Sequence, residues 1–152
     1  MDKQEQKAVD DIEKFGCHVI HVLEEEDLPG FTYSIGIYAS TGKPDMLIMG
    51  LKREVAHSII NEYNKRVKSG EEFVPNSSYG GFLEGFDVVF KKMDKKFYKN
   101  YLGWGLWFYK GDAFEMLQMV FPTTSGIWPW EEDAPEDFLW FQPLLTSDSE
   151  PI

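Results

Sequence analysis

The sequence predicts an α+β domain: an antiparallel or mixed sheet, one long helix, an N-terminal helix and an irregular, aromatic-rich C-terminal segment. Three observations predict it. The repeat Val55, Ile59, Tyr63 and Val67 marks one long amphipathic helix. Short β-rich runs between turn formers mark strands joined by hairpins and short connections, without regular βαβ alternation. The stretch Phe121-Pro122-Thr123-Thr124-Ser125-Gly126-Ile127-Trp128-Pro129-Trp130 fits neither period. Ordering it requires aromatic burial, because proline and glycine supply neither ladder nor helix.

The elements follow in order. Asp2 can cap a helix over residues 2–15, with Glu5 three places on in a capping-box arrangement and Gly16 as its stop. Ala8, Val9, Ile12 and Phe15 form its apolar side. Cys17 to Leu23 alternates as a strand, with Val19 and Leu23 on one face and Ile20 and Val22 on the other. Asp27-Leu28-Pro29-Gly30 is a turn. Phe31 to Tyr38, aromatic and β-branched, is a second strand, so the pair forms a hairpin with a longer loop. Asp45 to Leu51 is almost wholly apolar, as in a strand buried on both faces. The long helix runs from Arg53 to Lys68, with Ala56 and Ile60 beside its stripe. Pro75 to Gly81 holds enough turn formers for a mobile loop. Phe86 to Met93 is a strand. Residues 95–109 form one or two short helices broken at Gly103 and Gly105, and Glu115 to Phe121 is a strand that ends at Pro122.

A length of 152 residues fits one domain, assigned to residues 1–145 and followed by a polar tail over 146–152. With 43% hydrophobic residues the chain can build a full core, which sets it apart from disordered proteins. The formal charge of −11 repels nucleic-acid phosphates and anionic lipid, so neither is an expected partner. The first residues lack the pattern of a signal peptide, and no apolar run reaches the length of a membrane span. Cys17 is the single cysteine, so a cytoplasmic location is expected. Charge is unevenly spread. Glu24, Glu25, Glu26 and Asp27 form one acidic run, and Glu131, Glu132, Asp133, Glu136 and Asp137 another. Lys91, Lys92, Lys95, Lys96 and Lys99 form the basic cluster.

Three separated motifs carry a resemblance. Phe31-Thr32-Tyr33-Ser34-Ile35-Gly36-Ile37 comes first, then Pro44-Asp45-Met46-Leu47-Ile48-Met49-Gly50-Leu51 ahead of a helix ending near Gly70. The third comprises Gln118-Met119-Val120-Phe121-Pro122 and Gly126-Ile127-Trp128-Pro129-Trp130. In this order they resemble a bacterial family known as domain of unknown function 4262. Asp45 stands where that family usually has glutamate, Ile37 where it has leucine, and Thr123 where an acidic residue follows the proline. The resemblance covers most of the chain and implies no activity and no catalytic residue.

The candidate chemistry is sparse. His18 and His21, three apart on the first strand, point to opposite faces and do not easily share a metal. His57 falls on the polar face of the long helix with Asn61, Asn64 and Lys68. No His-x-x-x-His pair, second cysteine or calcium loop is present, so neither metal nor cofactor is expected. Cys17 fits a small core residue better than a nucleophile. There is no nucleophile elbow, P-loop or dinucleotide-binding glycine motif, and no catalytic residue is assigned.

The tryptophans remain. Trp104 and Trp107 lie three apart, and Trp128, Trp130 and Trp140 cluster near the C-terminus. They either close the core or form an aromatic patch rimmed by carboxylates. The expected function is a non-catalytic protein-binding module that sets Trp128, Trp130, Glu131, Glu132 and Asp133 against a basic protein. An immunity-type protein neutralising a basic bacterial toxin is of this type. The alternative is an enzyme or small-molecule binder with a pocket between the Tyr33 strand, residues 75–81 and the Trp128-Pro129-Trp130 segment.

Overall fold

Helix α1 (Lys3–Phe15) starts at a complete capping box. The Asp2 carboxylate accepts the Glu5 N–H at 2.8 Å, and the Glu5 carboxylate accepts the Asp2 N–H at 3.0 Å. Two donors that the first turn leaves without intrahelical partners are thereby satisfied. Gly16, at φ 87°, ends the helix. The computed structural model describes residues 1–146, so the polar tail expected over 146–152 lies outside them from residue 147 onward.

Among the described residues six strands form one sheet: β1 (His18–Val22), β2 (Phe31–Ile35), β3 (Asp45–Met49), β4 (Ser78–Leu83), β5 (Phe86–Lys92) and β6 (Met116–Val120). The spatial order is β1-β2-β3-β6-β5-β4. Among the described residues only the β3–β6 pair is parallel. The architecture is therefore α+β with a mixed sheet. β3 is central and buried along its whole length, in keeping with its almost wholly apolar run, with Asp45 as the buried exception.

Each face of the sheet carries its own core. On one face α3 (Arg53–Lys68) lays Ala56, Ile59, Ile60, Tyr63 and Val67 over Met46, Ile48, Phe90 and Met119. On the other, Tyr33, Leu47, Met49 and Met116 pack under α1, α4 (Tyr98–Tyr101) and α5 (Gly103–Tyr109). The alternation of β3 accounts for both: Met46 and Ile48 point one way, Leu47 and Met49 the other.

Several expectations are corrected. Val55 is 41% exposed and leaves the buried stripe to Ala56 and Ile60. A four-residue repeat drifts about 40° per step around a helix of 3.6 residues per turn, so its first member rotates off the sheet. Phe15 is likewise exposed, at the last position of α1. Phe31 to Tyr38 does not run as one strand. β2 stops at Ile35, Gly36 turns at φ 103°, and α2 (Ile37–Thr41) begins. A side chain at Gly36 would meet Ile12 at 2.7 Å, so α1 also requires glycine there.

The loop expected over 75–81 is partly strand. Ser78–Leu83 pairs with β5, with a register break between Tyr79 and Leu83. Gly105 does not break its helix but lies inside α5. A Cβ there would come within 2.9 Å of the Phe114 ring, so this glycine serves close packing. The C-terminal segment is not wholly irregular, because Glu136–Phe141 forms a short helix, α6.

Candidate interaction site at the C-terminal segment

Two buried glutamines fasten the segment after β6. Gln118 donates from Nε2 to the Pro143 carbonyl at 2.8 Å and accepts the Leu145 N–H at 2.8 Å. Gln142 accepts the Phe121 N–H at 3.0 Å and donates to the Phe121 carbonyl at 2.9 Å. Each side-chain amide thus mimics a peptide group and pairs backbone that has no ladder partner of its own. Between these clamps the chain turns at Gly126, which donates to the Thr123 carbonyl, while the Thr123 N–H donates to the Ile127 carbonyl at 2.8 Å.

This turn presents the tryptophans. Trp128 and Trp130 stack with centroids 5.1 Å apart and planes 7° from parallel, and both are half-buried. The Lys91 ammonium lies 5.1 Å from the Trp130 ring centre. Lys91 is itself only 1% exposed, so the basic cluster expected around residues 91–99 is not one surface. The Glu131 carboxylate accepts the Trp128 N–H at 2.6 Å and holds the pair in place. Glu131, Glu132 and Asp133 are exposed, as are Glu136 and Asp137 in the first turn of α6. Leu139, Trp140 and Phe141 follow at 39%, 40% and 43% exposure, an apolar surface that the sequence-based site did not include beyond Trp128 and Trp130. Its signal was visible as the run Phe138-Leu139-Trp140-Phe141 directly after the carboxylates Glu136 and Asp137. Trp104 and Trp107, by contrast, belong to α5 and pack, partly buried, against the core beneath it.

The other candidates fall elsewhere. Tyr33 is buried on one face of the sheet and Tyr79 packs on the opposite face, so those two pieces do not converge. His18 and His21 do point apart. His18 Nδ1 meets the Asp11 carboxylate at 2.7 Å, whereas His21 Nε2 meets His57 Nδ1 at 3.0 Å, with the two rings stacked. His57 is therefore locally bonded through a strand histidine, a pairing that no linear spacing shows. Burial, helped by the nearby Arg53 charge, lowers the His21 pKa and favours its neutral ring. Asn64, placed on the polar face by periodicity, is buried and donates to the Phe15 carbonyl at 3.1 Å.

Burial pushes the Cys17 thiol up to about 12, with the Asp45 carboxylate adding to the effect. At neutral pH it stays protonated, which suits a core residue and not a nucleophile. Among the described residues no group of three or more His, Cys, Asp or Glu side chains could hold a metal ion, and no helix is long and apolar enough to cross a membrane.

The fold and its clamped C-terminal segment define a small α+β domain with an acidic, aromatic surface. Residues 11–135 match the family model described as domain of unknown function (DUF4262), and the chain belongs to that family. Comparison with curated proteins and with solved structures returned no match.

Proposed function

We propose that the protein is a non-catalytic binding module whose C-terminal segment grips a basic protein partner. One observation carries the proposal. Five exposed acidic residues, Glu131, Glu132, Asp133, Glu136 and Asp137, flank a stacked tryptophan pair and the exposed Leu139, Trp140 and Phe141 on a segment held by two buried glutamines. Large rings bury much apolar area at little entropic cost when their backbone is already fixed. Carboxylates around them steer a basic surface during encounter. The protonated Cys17 thiol fits a binding role better than covalent catalysis. An immunity-type protein that neutralises a basic toxin is one form of such a module.

The test is kinetic. A partner is first identified by capture from the native host, and is expected to be basic. Association is then measured for the wild type and for the combined Glu131→Lys, Glu132→Lys, Asp133→Lys variant. The variant is expected to associate more slowly, with a gap that closes as rising salt shortens the Debye length from its physiological value of about 8 Å. Trp140→Ala is expected mainly to speed dissociation. An unchanged association rate at low salt, with the fold intact, removes the acidic segment from the interface.

A further inference from the structure

Strand β1 ends the sheet. It pairs with β2 in unbroken antiparallel register, from His18 opposite Ile35 to Val22 opposite Phe31, and among the described residues no strand lies on its other side. A terminal strand presents a row of backbone N–H and C=O groups that another strand can complete. The opposite edge is blunted. β4 loses register between Tyr79 and Leu83, and the Arg66 guanidinium donates to the Gly80 carbonyl at 2.9 Å. β1 has no such break.

The open edge of β1 forms the floor of a groove of about 1610 Å³ walled by α1 and α3. Asn64 and Lys68 of α3 donate to the Phe15 carbonyl and bridge the two walls at the end of α1. Further along, the His21–His57 contact joins the floor to α3. The walls are basic. Lys7 and Lys14 from α1, with Arg53, Lys65 and Lys68 from α3, line the groove against Asp11 and Glu54. Asp11 is already engaged by Lys7 and His18. On a chain with a net charge of −11, this concentrates positive charge on the one sheet edge that is regular.

We propose that this groove takes an acidic peptide segment in extended conformation, which adds to β1 as a further strand and sets its carboxylates against the lysines of α1 and α3. Backbone hydrogen bonds supply the docking. Side chains of the added strand alternate between the two walls, so both helices contribute to selection. The site is separate from the C-terminal segment, whose charge selects the opposite kind of partner.

The test uses the intact protein with labelled backbone amides and four probes: a short peptide of mixed glutamate and valine, its lysine–valine counterpart, the acidic peptide N-methylated at alternate amides in either register, and inorganic phosphate. The acidic peptide is expected to shift the amides of His18–Val22 and to weaken as salt rises. Methylation in the register that faces β1 is expected to cost about tenfold or more in affinity, since it removes backbone donors and leaves charge unchanged. The combined Lys14→Glu and Lys65→Glu variant is expected to lose a similar factor. Equal binding of the lysine peptide, binding of both methylated peptides as tight as the parent, or displacement of the acidic peptide by phosphate at like concentration would each overturn the proposal. The peptide arms need no protein variant, so a variant that fails to fold does not block the result.

Discussion

The Tyr109 hydroxyl donates a 2.6 Å hydrogen bond to the buried Asp45 carboxylate, fastening the last residue of α5 to the first residue of β3. The same hydroxyl accepts the Gly36 N–H at 3.0 Å and the Ala39 N–H at 3.3 Å. Asp45 also accepts the Ser34 hydroxyl at 2.7 Å and the N–H groups of Ile37 and Tyr38. One carboxylate and one phenol therefore end β2, start α2 and anchor α5.

Asp45→Ala should leave those donors buried without their acceptor. The expected loss is roughly 3–5 kcal/mol, and Tyr109→Phe should cost about 1–2 kcal/mol. Urea unfolding of both variants measures this. A loss below about 1 kcal/mol for Asp45→Ala would show that other groups satisfy the donors.

Asp45 also predicts a pH dependence. Burial pushes its carboxyl up to about 6, against hydrogen bonds from Tyr109, Ser34, Ile37 and Tyr38 that hold it down, whereas the ordinary value is 3.8. Between these values the folded state keeps a proton that the unfolded chain has released. The contribution of Asp45 to stability is thus full below pH 3.8 and declines as pH rises through 6, by roughly 3 kcal/mol in all. Asp45→Asn lacks this decline, so the stability of the wild type relative to the variant should fall by roughly 2 kcal/mol between pH 4 and 7. A constant difference across that range would show that Asp45 ionises normally.

His21 has the opposite sign. Its folded pKa is lowered, first by burial and then by Arg53 and His57, from 6.5. Its contribution is present above pH 6.5 and is lost as pH falls through the folded value. His57→Ala exposes the ring and removes a positive neighbour, so the His21 titration should move up toward its ordinary value. Proton NMR titration of the ring follows this directly, and an unmoved midpoint would contradict the 3.0 Å contact.

The first two members of the helical repeat should respond differently. Ile59, 4% exposed, faces the core, so Ile59→Asp should cost roughly 3 kcal/mol or more by burying an unpaired charge. Val55→Asp, at an exposed site, should stay within about 0.5 kcal/mol. Similar thermal midpoints for the two variants would mean that α3 is rotated from the facing described.

Gln142 should matter more for the C-terminal segment than for the sheet. Gln142→Ala removes both bonds to Phe121 and leaves a buried N–H and carbonyl without their partner, at a cost of about 1–3 kcal/mol. Limited proteolysis should then cut first between residues 122 and 141. Cutting first in β5 or β6 instead would show that the segment and the sheet open together.

Local chemistry made much of this protein legible in its sequence. The Asp2–Glu5 capping box and Gly16 bounded α1, and the period of α3 placed it at Arg53–Lys68 as observed. The almost wholly apolar run from residue 45 onward identified the central strand. These features depend on residues a few positions apart, whose geometry the backbone itself enforces. Tertiary structure decided the rest. Whether Phe31 to Tyr38 continued as a strand depended on Asp45 reaching across to capture the Ile37 and Tyr38 N–H groups. Whether Gly105 broke a helix depended on Phe114 lying against it. The His21–His57 pair and the basic groove between α1 and α3 join residues far apart along the chain, which become neighbours only when both helices pack against β1. A linear pattern records which faces are apolar, but the burial of Asp45, the exposure of Trp140 and the open edge of β1 follow from which surfaces meet in space.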